Sequence, residues 1–93
     1  MHNEKILVIE DSESLVYVLG KFLKEIGYRT IYAYNGTDGI KSAITENVCL
    51  AIVDIGLPDI SGLKVIDRIK DINPKLPIIV ISKLKDIVNN LLT

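Results

Sequence analysis

Short apolar runs alternate with amphipathic stretches along the chain. Four runs, at residues 5–10, 28–34, 49–54 and 78–82, have the length and the Ile and Val content of β-strands. The first and third lack polar alternation, which is typical of strands buried on both faces of a parallel sheet. The second mixes polar with apolar side chains and predicts an edge strand.

The segments between these runs have helical periodicity. Residues 12–26 predict the first helix, which Gly27 is placed to end. The third predicted helix ends before Pro74. The apolar positions with helical spacing are Leu15, Leu19, Phe22 and Ile26 in the first helix, Ile40, Ala43 and Ile44 in the second, Leu63, Ile66 and Ile69 or Ile72 in the third, and Ile87, Val88, Leu91 and Leu92 in a last helix at 86–92. We expect these stripes to face the core.

This order, β-α-β-α-β-α-β-α, predicts an α/β fold with a doubly wound parallel sheet, because crossovers between parallel strands are right-handed. The flavodoxin-like strand order 2-1-3-4 makes strands 1 and 3 neighbours at the topological switch point. At 93 residues, the chain is expected to form a single domain over residues 1–93.

Composition excludes several classes of function. A net charge of −1 gives no support for nucleic-acid binding or for a polybasic membrane anchor. Cys49 is the only cysteine, so it forms no internal disulfide, and we interpret it as a small core side chain. We find no signal-peptide pattern and no long apolar span. These features favour a reducing, cytoplasmic location.

Carboxylates follow two of the predicted strands. Glu10 and Asp11 end the first strand and Asp54 ends the third, so all three are expected to meet at one edge of the sheet. Clustered carboxylates repel each other unless a cation lies among them. Ser82 and Lys83 follow the fourth strand and reach the same edge. The alternative interpretation is that the acids are unrelated, solvated loop residues.

Four segments together carry a family resemblance: Lys5–Ser12, Gly27–Gly36, Leu50–Gly62 and Pro77–Ser82. The chain resembles the receiver domain of bacterial two-component response regulators, and the resemblance covers essentially all 93 residues. It implies a phosphorelay in which a sensor histidine kinase or phosphotransfer protein passes a phosphoryl group to an aspartate in the presence of Mg²⁺. The implied site consists of Asp54 as phosphoacceptor, Glu10, Asp11, Asp54 and the backbone carbonyl of Gly56 as metal ligands, and Ser82 as the hydroxyl that contacts the phosphoryl group.

The loop after the third strand contains Pro58 and Gly62. Proline restricts φ and glycine relieves backbone crowding, so we interpret both residues as structural. A direct contact of either with the phosphoryl group is the alternative.

The sequence departs from the family at its C-terminal end. Receiver domains continue into a fifth strand that ends in a lysine, followed by proline and a final helix. Two interpretations stay open: a receiver cut off inside its fourth helix, or a naturally shortened form in which residues 86–92 replace the final helix. Lys83, directly after Ser82, is a candidate to supply the missing cation and contact the phosphoryl group. The alternative is a solvated lysine.

The sequence therefore predicts a domain that accepts phosphate and signals by protein contact, not an enzyme that turns over a metabolite. The alternative function is a phosphorylation-deficient module that signals by binding or dimerising. Strands 3 and 4 would be bare on the side of the first helix. Either the last helix covers them by packing beside the first helix, or the chain dimerises through the strand 4 edge or the exposed sheet face. A flavin mononucleotide binder is a third option, disfavoured because the loop after strand 1 is acidic and would repel a phosphate.

Overall fold

The computed structural model of this chain describes residues 4–82. Its elements, in order, are β1 (Lys5–Ile9), α1 (Glu13–Glu25), β2 (Arg29–Ala33), α2 (Gly36–Thr45), β3 (Val48–Asp54), α3 (Gly62–Ile72) and β4 (Ile78–Ile81). The predicted alternation of strands and helices is confirmed over this range. The predicted helix at 86–92 lies outside the described residues. No helix within residues 4–82 has both the length and the apolar character that crossing a membrane requires.

The four strands form one parallel sheet in the order β2-β1-β3-β4, as predicted. Ile9 at the end of β1 is paired with Ala33 on one side and with Val53 on the other. Asp54 at the end of β3 is paired with Ile81. The carboxyl ends of β1, β3 and β4 therefore lie side by side, which is where a parallel sheet of this kind carries its functional groups.

Polar side chains begin each helix. Ser12, Asn35 and Ser61 are the N-caps of α1, α2 and α3, and each accepts a hydrogen bond from a backbone N–H of the first helical turn. Gly27 ends α1 with φ at 100°, where a side chain would be strained. The N–H groups of Gly27 and Tyr28 donate to the carbonyls of Lys24 and Leu23, which is a Schellman motif.

The core has two layers, one on each face of the sheet. Leu7 and Ile9 of β1 face α2 and α3, where they pack with Val65 and Ile69. The alternate residues of β1 pack against α1 on the other face. Because both faces of β1 are covered, the side chains of its residues 6–9 are almost fully buried, as the continuous apolar run predicted.

The predicted apolar face of α1 is confirmed only in part, since Leu19 packs against the core. Val16, Gly20 and Leu23 are the buried residues of α1, whereas Phe22 is 57% exposed and Ile26 is also exposed. The helix carries apolar side chains around most of its circumference, so spacing alone did not select the face that packs on the sheet.

The other two helical stripes are partly confirmed. In α2, Ile40 and Ala43 pack against the core but Ile44 is 57% exposed. In α3, the fully buried side chains are Val65 and Ile69; Ile66 packs beside them, while Leu63 and Ile72 are exposed. Both helices present a narrower apolar face to the sheet than the sequence pattern suggested.

Candidate functional site

Three carboxylates meet at the carboxyl edge of the sheet, as predicted. Glu10, Asp11 and Asp54 each offer one oxygen atom, and these three atoms lie within 4.8 Å of one another. Glu10 and Asp54 are 0% exposed, while Asp11 is exposed. The cluster therefore combines two buried acids with one at the surface.

The backbone around Glu10 orients its side chain. The Glu10 N–H donates to the carbonyl of Ala33 at 3.0 Å, which extends the pairing of β1 with β2 by one residue. Its carboxylate Oε2 accepts from the N–H of Ser12 at 2.8 Å. Ser12 also caps α1. Ser12 therefore both orients the Glu10 carboxylate and begins α1.

Asp54 is held between β4 and the loop that follows β3. The N–H of Ile55 donates to the carbonyl of Ile81 at 3.1 Å, so the pairing with β4 continues past Asp54. The N–H of Gly56 donates to Asp54 Oδ1 at 3.3 Å. Gly56 is the residue whose carbonyl the family resemblance implied as a metal ligand, and its N–H contacts the acid cluster through Asp54.

Gly62 closes the loop after β3. Its N–H donates to the carbonyl of Ile55 at 2.9 Å. A Cβ atom at this position would collide with the backbone carbonyl of Asp54 and lie 2.7 Å from the Cα of Ile55. Only glycine fits here, which supports the structural interpretation of Gly62. Pro58, in the middle of the loop, is exposed.

Ser82 follows β4 directly and is exposed. Because Ile81 is paired with Asp54, the Ser82 backbone lies at the same edge of the sheet as the acids. Lys83, the other predicted contact of the phosphoryl group, lies outside the described residues.

Asp59 is a further residue of this region, and the sequence did not single it out. Its carboxylate accepts hydrogen bonds from the N–H of Gly36 and from the N–H and hydroxyl of Thr37, at the start of α2. The Thr37 hydroxyl, followed by the two backbone amides, holds the pKa of Asp59 well below its usual value. Asp59 lies 22 residues from Thr37 in the chain, so no local pattern could have revealed the contact.

The donor set of the acid cluster fits Mg²⁺. Carboxylate and backbone carbonyl oxygens are the hard ligands that Mg²⁺ takes, with one or two carboxylates completed by water and phosphate oxygens. Among residues 4–82, the cluster consists of carboxylates, without the sulfur or imidazole ligand that would favour zinc or copper. The three carboxylates of Glu10, Asp11 and Asp54 are therefore ligands of the type that Mg²⁺ prefers.

Comparison with known proteins finds a matching family model and several similar sequences. The family model described as the response regulator receiver domain matches residues 6–91. A cyclic di-GMP phosphodiesterase of Thermotoga maritima is 35% identical over 81 residues, which is 87% of this chain and 22% of that protein. The alkaline phosphatase synthesis transcriptional regulatory protein PhoP of Bacillus subtilis is 35% identical over 80 residues, 86% of this chain and 33% of PhoP. The chain thus spans about a third or less of these two relatives.

Solved structures show the same fold. The response regulator protein TrrA of Thermotoga maritima, in complex with Mg²⁺-BeF, superposes with a TM-score of 0.82 at 34% identity, covering 85% of this chain and 69% of TrrA. A CheY-like receiver domain protein of Methanospirillum hungatei gives a TM-score of 0.84 at 24% identity, covering 96% of this chain and 74% of that one. At 24% identity, the similarity to the Methanospirillum hungatei protein is evidence for the fold alone.

Proposed function

This chain belongs to the response regulator receiver domain family, and from that premise we propose that Asp54 accepts a phosphoryl group from a partner protein. The observation that supports Asp54 is its position: it ends β3 beside Glu10 and Asp11, with carboxylate oxygens within 4.8 Å. We propose a sensor histidine kinase or a phosphotransfer protein as the donor. The phosphorylated domain then signals by protein contact rather than by turnover of a metabolite.

The proposed transfer is a substitution at phosphorus. A carboxylate oxygen of Asp54 forms the new O–P bond while the P–N bond to the donor imidazole breaks, and the bonding electrons leave with the imidazole nitrogen. A carboxylate and a phosphoryl group are both anionic, so their repulsion opposes the reaction. Glu10, Asp11, Asp54 and the carbonyl of Gly56 would hold Mg²⁺, which would supply the positive charge that offsets this repulsion.

Residues after β4 complete the proposed site. The Ser82 hydroxyl is assigned to donate to an oxygen of the bound phosphoryl group, since Ser82 lies at the same edge as Asp54. Lys83, the next residue, is proposed as a second contact through its ammonium group.

Phosphorylation by a small donor tests the proposal directly. With Mg²⁺ and acetyl phosphate, the domain should gain one phosphoryl group, seen by intact-mass spectrometry. The bond should be labile to base, as an acyl phosphate is. A protein that binds Mg²⁺ but gains no mass would contradict the proposal. That result would favour the alternative function, a receiver-like module that signals by binding without phosphorylation.

Magnesium should stabilise the folded domain, because a ligand that binds only the native state raises the free energy of unfolding by mass action. At a free concentration ten times the dissociation constant, the gain is about 1.4 kcal/mol. In a domain of this size, each kcal/mol of added stability raises the melting temperature by about 4–8 °C. Differential scanning fluorimetry with and without Mg²⁺ measures it.

Asp11→Ala is the matching variant, because Asp11 is the exposed member of the cluster and its loss leaves the core intact. We expect it to remove most of the response to Mg²⁺. Equal melting shifts in Asp11→Ala and the wild type would place the magnesium elsewhere.

The polypeptide of residues 1–93 is also proposed to self-associate through β4. Ile79 is 50% exposed, and β4 is an outer strand of the sheet formed by residues 4–82. Ile52 of β3 is only 7% exposed, so the sheet face beside α1 is not bare at this position. Sedimentation velocity should show a dimer at high concentration that Ile79→Lys abolishes. A monomer at every concentration would refute this.

We propose a cytoplasmic location and no binding of nucleic acid or membrane by this domain, in line with its single cysteine and its net charge of −1. PhoP is named a transcriptional regulatory protein, and this chain covers 33% of it. The regulation of transcription is therefore said of PhoP only, and the proposal for this chain concerns the chemistry at Asp54.

A further inference from the structure

The loop that follows the phosphoacceptor strand is tied to the start of a helix from another part of the fold. Asp59, in the loop between β3 and α3, accepts from the Gly36 N–H at 2.7 Å, from the Thr37 N–H at 2.9 Å and from the Thr37 hydroxyl at 2.7 Å. These N–H groups belong to the first turn of α2 and have no partner within that helix. A carboxylate is a favourable partner for them because it also complements the helix dipole.

The next residue of the loop packs on the same turn. A Cβ atom at Gly36 would meet the side chain of Ile60 and would lie 2.8 Å from Val65 Cγ2. Gly36 therefore allows the loop to lie directly on the beginning of α2. Asp59 supplies the polar part of this contact and Ile60 supplies the apolar part.

The start of α2 is in turn tied to Glu10. Only Tyr34 and Asn35 separate β2 from α2. Ala33, the last residue of β2, accepts a hydrogen bond from the Glu10 N–H. The short segment from Ala33 to Thr37 thus touches the backbone of Glu10 at one end and the carboxylate of Asp59 at the other.

Asp54 and Gly56 lie at the beginning of the loop that Asp59 anchors. The N–H of Gly56 donates to Asp54 Oδ1, and Gly62 N–H donates to Ile55 at the loop's closing point. Asp59 is in the stretch between these two hydrogen bonds. Without its contacts to α2, the stretch loses its polar anchor and is held by the packing of Leu57 and Ile60 against the core.

We propose that Asp59 is a positioning residue of the acid site, which holds Asp54 and Gly56 in place relative to Glu10 and Asp11 by anchoring their loop to α2. The inference rests on the proposed magnesium and phosphoryl chemistry. Asp59 itself touches neither ion nor phosphoryl group in this scheme. The hydrogen bonds from Thr37 and Gly36 also keep Asp59 ionised, by lowering its pKa.

Asp59→Ala tests the proposal through the affinity for Mg²⁺, measured by NMR titration at a temperature where each variant is folded. We expect the dissociation constant to rise about tenfold, at the lower end of what loss of a residue supporting metal ligands costs. Thr37→Val removes one of the three hydrogen bonds and should give a smaller rise.

Asn35→Ala is the matched control. Asn35 caps the same helix by accepting from the Asp38 N–H at 2.8 Å, and the described contacts of its side chain do not reach the loop. It therefore weakens α2 while leaving the anchor of the loop in place. An unchanged magnesium affinity in Asn35→Ala, beside a weakened one in Asp59→Ala, supports positioning. Equal losses of magnesium affinity in both variants would mean that Asp59 acts only by capping α2, and would overturn the proposal.

Hydrogen exchange of the Gly62 N–H supplies a readout that needs no metal. Its bond to the Ile55 carbonyl closes the loop, so Asp59→Ala should speed its exchange and Asn35→Ala should not. An unchanged rate in Asp59→Ala overturns the proposal even where Mg²⁺ binds. If the wild type itself binds no Mg²⁺ and gains no phosphoryl group, the proposed function fails. The positioning role then falls with it, whatever the exchange rate shows.

Discussion

Asp54→Asn should abolish phosphorylation by acetyl phosphate. The amide has nearly the same shape as the carboxylate but lacks the anionic oxygen that forms the bond to phosphorus. Asp54 is 0% exposed at the end of a buried strand, so a substitution of equal size keeps the packing that surrounds it. Intact-mass spectrometry after incubation with donor and Mg²⁺ should show the unmodified mass at all times.

Asp71→Asn is the matched control for this variant. It makes the same chemical change at an exposed position of α3, outside the acid cluster. The control should gain one phosphoryl group at the rate of the wild type. A label that persists in Asp54→Asn at an undiminished rate would show that another residue is the acceptor.

Gly62→Ala should cost the domain a large part of its stability. The added methyl group would collide with the backbone carbonyl of Asp54 and with the backbone of Ile55. Backbone atoms in a parallel sheet cannot rotate away as a side chain does, so the strand end itself must move. We expect a loss of about 3 kcal/mol in the free energy of unfolding, the upper end of the usual cost of overpacking. Urea denaturation measures it.

Gly20→Ala makes the same change at a position where it should be harmless. Its new Cβ would meet the hydroxyl end of the Tyr32 side chain and lie 3.3 Å from Tyr32 Cζ. Tyr32 is exposed and its ring can swing outward. Replacing glycine inside a helix by alanine gains up to about 1 kcal/mol, so we expect stability between unchanged and slightly raised. A cost in Gly62→Ala no larger than in Gly20→Ala would refute the steric argument.

The spacing of apolar residues did not predict which side chains of α1 are buried. Val16 and Leu23 of α1 are buried and Phe22 is exposed, although all three are apolar and close in sequence. A helix with apolar residues on most of its circumference can pack on the sheet in more than one rotation. The spacing of apolar residues does not choose among these rotations; in the folded chain, Gly20 is the residue of α1 that lies against the Tyr32 side chain.

Some features of the candidate site could be predicted from the sequence, and others are seen only in the folded chain. Glu10, Asp11, Asp54 and Ser82 could be placed at one edge from the sequence, because each follows an apolar run and parallel strands end together. The structural interpretation of Gly62 is supported. The sequence did not reveal that the backbone of Asp54 and Ile55 is what requires glycine there. The anchoring contact of Asp59 with Thr37 joins positions 22 residues apart, and only the folded chain brings them together.

The sequence by itself therefore determined the order of strands and helices, the parallel sheet and the acids at its edge. These follow from local periodicity and from the few topologies that right-handed crossovers permit. Only the tertiary structure decided which of the apolar residues on each helix are buried and how the loop after β3 is held against α2. Those features depend on the fit of side chains from distant segments, and a one-dimensional pattern carries no information about that fit.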